Sequence, residues 1–258
     1  MQSALLRAAR LALRPALSAF SSAGSRGEKT VSDAIGFVSE PYLFSYDFKE
    51  VISYNLAVGA STTQQAGLRY LYEDEEGFCP LPTFGVIPAL SGTGGLVTGS
   101  VPGLNIDLQN VLHGRINHIL IYCLHYLYPG EQYIKLCRPL PPAARLTSRF
   151  RVQDVLDKGR GLVLLVEVET RDEAERLLLT NQLSVFVVGG GGWGGARASQ
   201  YIIPVAARPD REPDHVAEFT TSPDQAALYR LSGDLNPLHI RKPLKHIHII
   251  CTQCEFIL

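Results

Sequence analysis

The 258-residue chain lacks an excess of charge of either sign: 24 Lys and Arg stand against 25 Asp and Glu, for a formal net charge of −1. A nucleic-acid binder needs a basic field, or basic residues interleaved with aromatics, and neither is present. No apolar run approaches the ~20 residues of a membrane-spanning helix. Cysteine is scarce. Five residues, at 79, 123, 137, 251 and 254, are odd in number and irregular in spacing, and no secretory leader precedes them. That argues against a disulfide framework and for a reducing compartment. What remains is an ordinary globular composition, 46% hydrophobic and 19% charged with 23 Gly and 16 Pro, enough for one large or two small domains.

Acidic residues are missing altogether before Glu28, where the chain reads MQSALLRAARLALRPALSAFSSAGSRG. Arginine-rich, serine-rich and acid-poor is the composition of a transit peptide. On a helix Arg7, Arg10 and Arg14 share one face, with Leu6, Leu13 and Leu17 beside them. Residues 1–34 are therefore expected to be a transit-like or disordered segment, and mitochondrial targeting is expected from it.

Ordered structure is expected over 35–188. Tyr54 to Val58 reads as helix with a stop at Gly59, and LRYLYEDEEGF reads as a strand with a hairpin-like end. PLPTFGVIPALSG, apolar but broken by prolines, predicts a short helix or buried turn. Alternation predicts strands at 146–155, 161–170 and 179–188, with LDKGRG as the turn between the first two. Successive antiparallel strands with at least one helix packed on them make the fold class α+β. GGGGWGG lacks the Lys and Ser/Thr that a phosphate-cradling loop needs, so 189–200 is expected to be a flexible linker. A second region, 201–240, starts with a short strand, YIIPVA. It continues through a helix from Pro223, which Ser222 can cap and Gly233 can end.

The chemistry concentrates in YRLSGDLNPLHI, residues 229–240, which brings Asp234, Asn236 and His239 around a Gly and a Pro. Spacing alone leaves two readings open. One is an Asx turn at Asp234, a bend at Pro237 and a backbone-bonded histidine; the other is an acid and an imidazole placed to move a proton.

The longer string ALYRLSGDLNPLH resembles the signature of type 2 enoyl-CoA hydratases, the MaoC-like double hot-dog enzymes, which include the hydratase unit of peroxisomal multifunctional enzyme type 2. YLFSYDFKEVISYNLAVGA, LRYLYEDEEGFCPLPTFGVIPAL, EQYIKLCRPLP and VLDKGRGLVLLVEVET resemble the family's N-terminal half in order, so that the likeness covers about residues 40–114 and 131–240. The resemblance implies a double hot-dog, an antiparallel sheet wrapped on a helix in each half. The activity implied is (3R)-specific enoyl-CoA hydration in fatty-acid β-oxidation. It makes Asp234 and His239 the catalytic pair and Asn236 the residue that orients their water. Such chemistry needs a base for the attacking water, a proton returned to C2, and donors for the thioester oxygen. It needs no cofactor and no metal. The implied partner is an acyl-CoA thioester, with homodimers in intact relatives, and the family's compartment offers peroxisomal location as the alternative.

Two stretches depart from the family. RINHILIYCLHYLYPG, residues 115–130, separates VLHG from EQYI and is expected to interrupt a strand pair or loop out. After Ile240 the chain reads RKPLKHIHIICTQCEFIL, so that 241–258 is expected to be an atypical tail and the second hot-dog incomplete. On that basis the present chain is expected to show little or no turnover. His118, Cys123 and His125 match no standard zinc spacing; His246, His248, Cys251 and Cys254 offer a single CxxC with two close histidines in a terminal tail, and both sets are read as non-ligating. Two further readings stay open: a mitochondrial 3-hydroxyacyl-thioester dehydratase, and a non-catalytic acyl-CoA-binding or interaction isoform.

Overall fold

The computed structural model of the chain describes residues 30–63, 67–93, 96, 101–104, 127–188, 190–204, 210–212, 214 and 220–233. Five strands form one antiparallel sheet: β1 (Tyr42–Tyr46), β2 (Leu127–Leu136), β3 (Ala144–Asp157), β4 (Gly161–Arg171) and β5 (Leu177–Val188), in the order β1-β3-β4-β5-β2. The three predicted strands are all present, longer than alternation alone indicated by four, one and two residues. Their strict alternation explains the agreement. Along β3, Leu146, Ser148, Phe150 and Val152 are buried, while Arg145, Arg149 and Arg151 between them are exposed. One face is thus core and the other solvent, and a one-residue slip would invert both.

The central helix is α3 (Val86–Gly92), entered through a 3-10 turn at Pro82–Gly85. It lies on the core face against β1, β3 and β4, the arrangement of sheet around helix that the resemblance implies. Close approach depends on missing side chains. A Cβ at Gly92 would stand 3.1 Å from Ser148 Cβ, and one at Gly85 would stand 3.0 Å from Leu179 Cδ2. Polar groups buried beneath the helix are all paired, as burial requires. Ser148 Oγ and Thr170 Oγ1 share a hydrogen bond of 2.9 Å, and Asn181 Nδ2 donates to Gly85 O at 3.2 Å.

Around this sit α1 (Phe48–Ala57) and the one-turn α2 (Leu68–Leu71). Helix α1 starts six residues before the predicted Tyr54, because Asp47 and Glu50 form a reciprocal capping box. Buried Asn55 ties α1 to the next loop: its amide donates to Tyr70 O at 2.8 Å and its carbonyl accepts from Leu81 N at 3.1 Å. The strand expected at LRYLYEDEEGF is not there. Leu68–Leu71 is helical and turns follow, because α1 packs on this segment and no strand runs beside it.

Four other expectations change. Residues 127–130, assigned to the atypical insert, open strand β2 and pair with β5 instead of interrupting the sheet, with a bulge between Pro129 and Glu131. Residues 115–126 lie outside the described residues. Order begins inside the leader segment: Val31–Ala34 is a 3-10 turn with Ala34 buried. The glycine-rich stretch, from Gly190 on, is docked rather than flexible. The Asp157 carboxylate accepts from the amides of Gly159 (2.8 Å), Gly192 (2.8 Å) and Gly194 (2.7 Å). A Cβ at Gly191 would fall 2.2 Å from Gly161 O, so only glycine lets this loop lie on the sheet's end. The short strand expected from Tyr201 is absent over 201–204, where Gln182 instead holds the backbone of Tyr201 and Ile203. No helix among the described residues is long and apolar enough to cross a membrane.

Candidate active site

The motif reaches the N-terminal half through helix α4 (Gln225–Leu231). Its start lies two residues beyond the predicted Pro223, and Ser222 contributes its backbone carbonyl, 3.1 Å from Gln225 N, rather than a side-chain cap. Helix α4 packs on α1. The side-chain amide nitrogen of Gln225 donates to Leu56 O at 3.2 Å, which also accepts from Gly59 N at 3.1 Å, and to Ala57 O at the end of α1. Farther along, the Tyr229 ring lies 6.4 Å from that of Tyr54. Tyr54 in turn meets Phe84 edge-on at 5.4 Å, and Phe84 meets Tyr46 at 4.8 Å. Burial pushes the Tyr54 and Tyr46 phenols up, with the Thr83 side chain partly offsetting this at Tyr54, so both rings stay neutral and act as packing. The Tyr46 hydroxyl donates to Pro141 O at 2.8 Å.

The end of α4 follows the expectation for Gly233. Buried Ser232 donates its hydroxyl to Tyr229 O at 2.6 Å, and Gly233 N donates to Arg230 O at 3.2 Å. Gly233 then turns through φ +123°, a left-handed conformation suited to glycine. Its position matters as much as its dihedral. A Cβ there would stand 3.0 Å from Cγ2 of Ile87 on α3, and Ile87 is 1% exposed. The backbone thus leans on the central helix one residue before Asp234. Asp234, Asn236 and His239 themselves lie outside the described residues, as do His118, Cys123, His125, His246, His248, Cys251 and Cys254. Among the described residues no group of three His, Cys, Asp or Glu could hold a metal ion.

Sequence reasoning missed Ile87, Gln225 and Tyr54 as supports of this segment. Tyr229 falls inside the quoted motif, but no local signal marks the other three, whose partners are remote in the chain.

A cavity of about 570 Å³ is lined by Arg149, Arg151, Gln153, Glu167, Glu169 and Tyr201, among others. These strand residues alternate with the core residues, so the cavity opens on the face of the sheet away from α3 and α4.

A single antiparallel sheet around a central helix defines the hot-dog class. The model for the MFE-2 hydratase 2 N-terminal domain matches residues 44–189, and one for a MaoC like domain matches 204–244, the stretch that contains Asp234, Asn236 and His239. The chain belongs to the MFE-2 hydratase 2 family. It is 40% identical over 231 residues to peroxisomal multifunctional enzyme type 2 of Mus musculus, covering 85% of this chain and 29% of that protein. The full-length structure of the Drosophila melanogaster enzyme of that name superposes with a TM-score of 0.57 at 36% identity, over 78% of this chain and 31% of the other. A MaoC-like dehydratase from Phytophthora capsici gives a TM-score of 0.61 at 25% identity, over 81% and 66%. The chain spans under a third of the length of the multifunctional relatives it matches.

Proposed function

We propose that the chain is a (3R)-specific enoyl-CoA hydratase, a hydro-lyase of fatty-acid β-oxidation. Asp234 and His239 form the acid–base pair, and Asn236 orients the water between them. The observation that supports the reading is the match of the family's two models to residues 44–189 and 204–244, the second of which contains Asp234, Asn236 and His239. Water is a poor nucleophile at neutral pH. A carboxylate and an imidazole sharing one molecule take its proton as its oxygen bonds to C3, and one of them returns a proton to C2. The double bond is lost, one water is added, and no electrons leave the pair of reactants. Negative charge on the thioester oxygen during attack calls for preorganised donors.

The names of the relatives support a peroxisomal site of action rather than the mitochondrial one expected from the leader, which lies outside the described residues. The substrate partner is an acyl-CoA thioester, and assembly with a second copy belongs to the same reading. Likeness to the Phytophthora dehydratase favours a second direction for the same chemistry, loss of water from a 3-hydroxyacyl thioester. The test is loss of enoyl-thioester absorbance by the full chain, with CoA and carrier-protein thioesters side by side. Turnover of either thioester would overturn the expectation of an inactive chain drawn from residues 241–258; the CoA substrate is expected to be the one consumed faster. Asp234→Ala and His239→Ala are each expected to lower the rate about 10²–10⁴-fold. Full activity in both variants would reject the assigned roles.

A further inference from the structure

The outer face of the sheet carries two columns of opposite charge on neighbouring strands. Strand β3 places exposed Arg149 and Arg151 there, and β4 places Glu169 and Glu167 directly opposite them. The columns do not simply cancel. Glu169 is held by Arg171 at 2.8 Å and Glu167 accepts from Gln153 at 2.9 Å, whereas no ion pair among the described residues includes Arg149 or Arg151.

Apolar side chains flank the columns on both sides. Residues 36–39 run beside β3, away from β4, where Gly36 N donates to Val152 O at 2.8 Å and Ser39 N to Phe150 O at 2.9 Å. Val38 bridges to Arg151, so the two share a face, and Val38 is exposed there. Across the sheet, Gln182 of β5 stands opposite Glu167 and donates its side-chain amide to Tyr201 O at 2.7 Å. Tyr201 is exposed as well and lines the cavity from that side.

A face so patterned is complementary to itself. Half a turn about an axis parallel to the strands, lying over the seam of β3 and β4, exchanges the two columns and keeps their order. Arg151 then stands over the partner's Glu167 and Arg149 over the partner's Glu169, with the Val38 flank against the partner's Tyr201. An axis across the strands would set like charges together. Sheets packed face to face ordinarily keep their strands within about 30° of each other, as this axis requires. Area agrees too. Four of the five strands are ten or more residues long, so the face spans roughly 800 Å², the usual share of one partner in a stable interface.

We infer that the outer face of the sheet is a homodimer interface, in which Arg149 and Arg151 of one copy meet Glu169 and Glu167 of the other about a two-fold axis along the strands. The inference gives a place to the assembly with a second copy included in the functional reading, and it rests on that reading only for the expectation of a dimer.

Loss of one exposed charge changes little, so the test reverses charges in pairs. The full chain is compared as wild type, as Arg149→Glu/Arg151→Glu, as Glu167→Arg/Glu169→Arg, and as a 1:1 mixture of the two variants, one carrying a mass tag. The readings are the dimer dissociation constant by sedimentation, folding by circular dichroism, and hydration of a trans-2-enoyl-CoA. The wild type is expected to dimerise. Each variant alone sets like charges face to face and is expected to raise the dissociation constant at least about 100-fold. The mixture makes opposite charges meet again and is expected to return, as a mixed dimer, to within about tenfold of the wild type. The single reversals Arg149→Glu and Glu169→Arg, mixed in the same way, serve if a double reversal unfolds.

A monomeric wild type overturns the inference and leaves the face to another occupant, such as a peptide. A dimer that both variants keep, and a mixture of folded variants that stays monomeric, overturn it as well. Failure of the functional reading looks different. A dimer that obeys the charge pattern without turnover refutes the function alone, and a monomer that hydrates the substrate refutes the interface alone.

Discussion

The two faces of the sheet differ in what they offer a ligand. The outer face has open volume and charge. Arg149, Arg151, Glu167 and Glu169 line its cavity, and Glu169 is held by Arg171 at 2.8 Å. The core face has rigid shape. There α3, Phe84 and Ile87 are buried, and α4 ends against them. Gly233, the last described residue of the signature motif, lies beside Ile87 on the core side. Chemistry that needs two groups within hydrogen-bond reach of one water depends on fixed backbone rather than on volume. The difference teaches that one sheet can keep a packed face that fixes backbone and a charged face that meets solvent in the single chain.

The contrast can be broken by substitution, and the largest effects are expected on the core side. Phe84→Ala, beneath Tyr46 and Tyr54, is expected to destabilise the chain by about 3–5 kcal/mol in denaturant unfolding, because it leaves a cavity where two rings pack. Ser148→Ala leaves buried Thr170 without its partner and is expected to cost about 1–3 kcal/mol by the same measurement.

Asp157 lies between the two regimes, at the sheet's end. Amides of Gly192 and Gly159, ahead of those of Gly194 and Gly195, hold its carboxyl down from 3.8 to about 2 against the opposing effect of burial. A carboxyl lowered on folding stabilises above its unfolded value, and that stabilisation is lost as pH falls through the folded one. Asp157→Asn should therefore lower Tm by a few degrees at neutral pH, with the gap to wild type closing between about pH 4 and pH 2. A constant gap across that range would contradict the glycine-amide cradle. Smallest of all, Arg151→Ala on the outer face is expected to change stability by no more than about 0.5 kcal/mol and to leave hydration unaffected.

The same division governs what the sequence made legible. Strands β3, β4 and β5 alternate because one face is buried and the other wet, and a period-two pattern reports that directly. The edge strand β1 turns Phe44 and Tyr46 to the core and leaves Leu43 and Ser45 exposed, but its five residues are too few for the period-two pattern of YLFSY to stand out. The start of α1 was available in DFKE, where an acid at the cap and another three residues on mark a helix beginning. GGGGWGG was read as flexible from composition, whereas its order comes from Asp157, some 35 residues earlier. No local rule connects the two. At the site, resemblance singled out Asp234, Asn236 and His239, and local turn chemistry singled out Gly233. Ile87, Gln225 and Tyr54 matter only through tertiary contacts, which no window of sequence displays.

The central claim is that this motif, seated on the N-terminal hot-dog, adds water to an enoyl thioester with one handedness. It is tested most directly by incubating the full chain with a trans-2-enoyl-CoA and resolving the product on a chiral column. The account predicts the (3R)-3-hydroxyacyl-CoA from the wild type and at most about one hundredth as much from Asp234→Ala. A (3S) or racemic product, or an equal yield from the variant, would contradict it.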